Sequence, residues 1–71
     1  MQRYLIVLEP TATGFSAYSP DLPGCVATGA TRPEVEANMH EAIVLHLEGL
    51  REDGEPVPSA QTIATYVEVA A

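Results

Sequence analysis

The sequence predicts an α+β domain of order β-β-β-α-β, a mixed four-stranded sheet with one helix packed on one face. Three observations carry this. Short segments rich in β-branched and aromatic residues, each cut off by Pro or Gly, fill the first third of the chain. One amphipathic stretch with its own start and stop signals follows. A last alternating segment comes after a proline-rich connection.

Residues 3–9, Arg-Tyr-Leu-Ile-Val-Leu-Glu, form the first expected strand and stop at Pro10. Thr11 to Gly14 is turn chemistry, and residues 15–18, Phe-Ser-Ala-Tyr, alternate as the second strand of a hairpin until Ser19-Pro20 breaks them. Two prolines and a glycine in residues 20–24 make a stiff loop, since proline withholds a ladder donor and glycine permits positive φ. Residues 25–28, Cys-Val-Ala-Thr, are the third strand, bounded by Gly29.

Thr31-Arg-Pro-Glu34 is a capping box. The Thr31 hydroxyl can accept from the Glu34 amide, the Glu34 carboxylate can reach back, and Pro33 sits where amides lack helical partners anyway. From there Val35, Met39, Ala42, Ile43, His46 and Leu50 share one stripe with Leu47 at its margin. Glu36, Glu41, Glu48 and Glu52 lie outside it, as expected for a helix laid on a sheet. Asp53-Gly54 ends the helix and Pro56 and Pro58 forbid its continuation. Residues 63–69 then alternate Ile63, Thr65, Val67 and Val69 against Ala64, Tyr66 and Glu68, the expected fourth strand. The predicted strand order is 3-2-1-4, with strand four parallel to strand one.

Seventy-one residues make one domain, 1–71, with a core too thin to be secure alone. A single cysteine forms no internal disulfide and no metal cluster is evident, so a homo-oligomer, dimer or tetramer, is expected. Ten acidic residues against three arginines and no lysine give a formal charge of −7. Such a surface repels nucleic acid, whose binding rests on Lys and Arg at phosphates, and attracts a basic protein. The apolar run from Tyr4 to Leu8 is too short for a signal peptide or a membrane span, so the expected location is cytoplasmic.

Pro20-Asp21-Leu22-Pro23-Gly24-Cys25, after a strand containing Tyr18, resembles the most diagnostic motif of the HicB-like antitoxin family. Gly29-Ala30-Thr31, Asn38, Glu41-Ala42-Ile43, Leu47-Glu48 and the segment from Asp53 to Pro58 follow the same pattern, and the likeness spans Tyr4 to Val69. The resemblance implies a partial RNase H-like fold that neutralises a basic HicA-like toxin, an mRNA-cleaving protein, by covering its active surface, with no cofactor. Many members append an operator-binding helix-turn-helix or ribbon-helix-helix domain. This sequence stops at Ala71, so a single domain without a C-terminal DNA-binding domain is expected. Pro33 stands where the family commonly has an acidic residue.

Two chemical readings compete with protein binding. A two-metal hydrolase would draw on Glu9, Glu41 or Glu48, and Glu68, yet these sit at a strand terminus, on a solvated helix face and on an outward strand position. Zinc or Cys-His chemistry would need Cys25, His40 and His46, but the two histidines lie about 120° apart around a helix and share no ligand face. An orphan oligomeric binding module without a toxin partner is the remaining alternative. The expected reading is a non-enzymatic binder, with Asp21, Leu22 and Pro23 of the stiff loop as partner-binding residues, Asp21 and Leu22 pointing outward. Val44 and Leu45 are exposed apolar residues on the helix, either scattered or part of an oligomer contact.

Overall fold

A computed structural model describes the whole chain, residues 1–71. Three strands, β1 (Val7–Thr11), β2 (Gly14–Tyr18) and β3 (Val26–Gly29), precede one helix, α1 (Arg32–Glu52). The sheet is antiparallel with β2 in the centre. Pairing of Thr11 with Gly14 closes the first hairpin and places Val7 opposite Tyr18, while Tyr18 faces Val26 on its other side.

The first strand begins four residues later than the sequence suggests and runs through Pro10. Its open edge explains this, because a proline without an amide is tolerated where no ladder donor is needed. Only one side of β1 is paired, in agreement.

The larger correction concerns residues 63–69. They do not form the predicted fourth strand: the sheet has three strands, and residues 56–71 take part in no backbone–backbone hydrogen bond. The alternation of apolar side chains is present in the sequence, but the ladder that would use it is not, and Ile63, Tyr66, Val67 and Val69 are exposed.

The helix obeys its signals closely. Thr31 adopts an extended conformation and its hydroxyl accepts from the Glu34 amide at 3.3 Å. The Glu34 carboxylate accepts in return from the Ala30 amide at 3.1 Å, one residue before the cap. At the other end Gly54, at φ +68°, donates to the Arg51 carbonyl, and Glu55 donates to that of Leu50. This nested pair of bonds satisfies carbonyls that the last turn would leave bare, and it requires the left-handed conformation glycine allows.

One face of the sheet receives the helix. Ala17, Leu22, Cys25, Val35 and Met39 form the buried core, with Tyr4, Ile6, Leu8, Phe15, Ala27, Ala42, Ile43 and Leu47 packed around it. Contact is close at Gly29, where an added Cβ would stand 2.5 Å from the Val35 nitrogen and 2.8 Å from its Cα. The absent side chain lets the end of β3 abut the first turn of α1. Asn38 then donates to the Thr28 carbonyl at 2.8 Å, tying the helix to the open edge of β3.

Candidate partner-binding surface

The β2–β3 connection, residues 19–25, is a compact loop closed on itself. Leu22 donates to the Ser19 carbonyl, Cys25 to that of Leu22, and the Ser19 amide to that of Cys25, at 3.0 to 3.3 Å. The Ser19 side chain is buried, and its hydroxyl donates to the Leu5 carbonyl at 3.0 Å. Gly24 turns the chain at φ +83°. Two prolines limit the unfolded alternatives, so holding the loop in this shape costs little entropy.

Within this loop the three expected contact residues have different fates. Leu22 does not point outward; it is fully buried in the core, because the turn from Ser19 to Cys25 folds its side chain under the loop against the helix side of the sheet. Pro23 is exposed. Asp21 is partly exposed and already engaged by its own chain: one carboxylate oxygen accepts from the amides of Gln61 and Thr62, both at 3.0 Å, and the other from the Thr62 hydroxyl. The Thr62 hydroxyl and then the Thr62 amide, with a lesser share from the Gln61 amide, hold the Asp21 carboxyl below its ordinary range against the opposing effect of desolvation. All three donors are neutral, so the negative charge persists at the surface.

The sheet face opposite the helix continues this surface. Register puts Val7, Tyr18 and Val26 side by side in one cross-strand row, and Glu9, Ser16 and Thr28 in the next. Tyr18 is 42% and Val26 65% exposed, so the apolar row lies open beside the loop. The sequence alone missed this row. Ending the first strand at Glu9 obscured the tight hairpin register; extending it through Pro10 to pair Thr11 with Gly14 would have revealed the row.

The residues considered for chemistry do not converge. No group of three or more His, Cys, Asp or Glu side chains is placed to hold a metal ion. Cys25 is buried on the core side, and desolvation pushes its thiol upward, away from the reactive thiolate. His40 is exposed and His46 half-buried at different angles of the helix. No helix is long and apolar enough to cross a membrane.

Comparison with known proteins adds to this geometry. Residues 4–70 match a family described as HicB-like antitoxin of bacterial toxin-antitoxin system. The sequence is 39% identical over 64 residues to an uncharacterized 14.9 kDa protein of Haemophilus phage HP1, covering 90% of this chain. This chain spans only 48% of the phage protein's length. A UPF0150 protein of Synechocystis is 38% identical over 62 residues, with 86% of this chain and 78% of that protein aligned. Among solved structures, a chain of a HicA3 and HicB3 toxin-antitoxin complex superposes with a TM-score of 0.74 at 37% identity, covering 84% of this chain and 70% of that one.

Proposed function

We propose, from the premise that this chain belongs to the HicB-like antitoxin family of bacterial toxin-antitoxin systems, that it neutralises a basic HicA-like toxin by covering the toxin's RNA-cleaving surface. The observation that carries the reading is the likeness to a chain of the HicA3 and HicB3 complex over 84% of this sequence. The charge of −7 supports it, since an acidic inhibitor and a cationic RNA-cleaving surface attract each other and associate quickly.

The surface we assign to the toxin is the open sheet face with the adjoining loop. Val7, Tyr18 and Val26 supply apolar contact, Asp21 and Glu9 supply charge, and Pro23 gives the loop a rigid outer corner. Leu22 serves this surface from beneath, by fixing the loop to the core. The chain performs no chemistry of its own in this reading and acts in the cytoplasm beside its toxin. The partial RNase H-like arrangement belongs to the same proposal, with residues 63–69 as the strand that completes the sheet in the assembled state.

The test is reconstitution. A HicA-like protein encoded next to this chain, purified and assayed for RNA cleavage, is expected to lose activity at equal stoichiometry of the two proteins. Cleavage that continues undiminished with this protein in excess, together with no complex on a sizing column, overturns the reading.

A further inference from the structure

Three arginines and two histidines stand against ten carboxylates in this chain, and two of those five basic side chains line one hollow. It holds about 380 Å³ between α1 and the segments that carry Tyr4 and Val57. Six of its nine lining residues are apolar and none is Asp or Glu, so it is the one apolar recess of an acidic protein with only basic charge at its rim. The surface assigned to the toxin is the sheet face on the other side from the helix.

One wall of the hollow is a stripe of α1. His40, Ile43, Val44, Leu47 and Arg51 fall within about 100° of the helix circumference. The two basic residues stand at its ends, roughly 16 Å apart along the axis, with three apolar side chains between them. Glu48 and Glu52 fall outside the stripe. The facing wall, Tyr4 and Val57, is pinned independently of the helix. Tyr4 donates to the Pro58 carbonyl at 2.6 Å, and the Ala60 amide donates to the Gln2 side chain at 3.3 Å. Arg51 is exposed, and its guanidinium enters no ion pair, because the single ion pair of the chain joins Arg32 and Glu36.

We infer that this hollow binds a free amphipathic carboxylate of the medium-chain fatty acid class, its carboxylate on Arg51 and its alkyl chain along Leu47, Val44 and Ile43 toward His40. The charge at the rim selects the ligand. A planar guanidinium takes both oxygens of a carboxylate, and at physiological salt screening confines the repulsion of the distant acidic groups to within about 8 Å of them. A basic protein meets repulsion from Arg51 at this place. The apolar wall selects further. It is built of helix side chains over a backbone already paired within α1, so an extended peptide laid there finds no partners for its own amides, whereas an alkyl chain needs none. The volume lies in the range of small-molecule sites. An anionic membrane, by contrast, faces the whole charge of −7. The inference goes beyond the toxin reading and does not rest on it.

Calorimetric titration of the full chain with decanoate, below the concentration at which it forms micelles, tests it. Saturable binding of one decanoate per chain is expected, tighter than octanoate by roughly fivefold or more because two methylenes leave water. Decylammonium, which the net charge would favour, is expected to bind at least roughly tenfold more weakly. Arg51→Gln and Val44→Asp, both at exposed positions, are each expected to weaken decanoate roughly tenfold or more with the helical signal unchanged. No saturable binding, decylammonium bound as tightly as decanoate, or affinity indifferent to both substitutions each overturns the inference. So does retention of the protein on phosphatidylglycerol vesicles with no uptake of free decanoate, which makes a membrane the occupant, or a dimer that Val44→Asp dissociates and decanoate does not, which makes it a second copy.

Discussion

Asp21 grips Thr62 from 41 residues away, taking its amide at 3.0 Å and its hydroxyl as well. A loop between two strands thereby sets where the C-terminal segment leaves the body of the protein. Asp21→Asn is expected to loosen this hold without disturbing the helix, because the carboxylate's partners Gln61 and Thr62 lie outside both the helix and the buried core. Limited proteolysis between residues 59 and 65 should accelerate severalfold, on the order of the gain from losing a charge-assisted bond at a surface site, with the circular dichroism unaltered.

The same grip gives a pH dependence. The Asp21 carboxyl is depressed from its ordinary value of 3.8, so its contribution is complete above 3.8 and is lost as pH falls through the lower folded value. Amide exchange at Gln61 and Thr62, corrected for its intrinsic pH dependence, should show protection falling in that acid range, and Asp21→Asn should abolish the transition.

Leu22→Ala is expected to destabilise the protein by about 2 to 5 kcal/mol, since it empties a fully buried site between loop and helix. Urea denaturation measures it. A change below about 1 kcal/mol would mean the loop does not anchor in the core.

Two glycines separate steric from conformational effects. Gly29→Ala drives a methyl against the Val35 backbone and should cost about 1 to 3 kcal/mol. Gly49 lies within α1 with open space around it, so Gly49→Ala should stabilise by about 0.5 to 1 kcal/mol. Thermal melts of the two variants should move in opposite directions.

At the proposed toxin surface, Tyr18→Ala should weaken inhibition roughly tenfold or more if the apolar row is central to the contact. Asp21→Lys adds repulsion at the loop and loosens the C-terminal segment as well. Comparison with Asp21→Asn isolates the electrostatic part, read as a slower association rate in the lysine variant alone.

The helix was legible because its signals are local. Thr31, Glu34 and Gly54 act on backbone groups a few residues away, and the buried pair Val35 and Met39 lies on the predicted stripe. Strand pairing was less so. Whether residues 63–69 find an edge depends on contacts far along the chain, or on another chain, and alternation alone does not supply a partner. Leu22 was misplaced for a related reason: a residue between two prolines looks like a surface tip, yet the buried Ser19 and its bond to Leu5 turn the loop inward. Asp21 was singled out for contact with a partner, whereas its ties to Gln61 and Thr62 within the chain bridge segments that no local pattern connects.

The Tyr4–Pro58 bond joins positions 54 residues apart, almost the two ends of the chain. Closing so long a loop is entropically slow, whereas the hairpin and the helix close through near neighbours. The bond is therefore expected to form after the rate-limiting barrier, and its loss in Tyr4→Phe should leave the refolding rate unchanged while hastening unfolding. On that expectation the clasp governs how long the native state lasts, not how quickly it is reached.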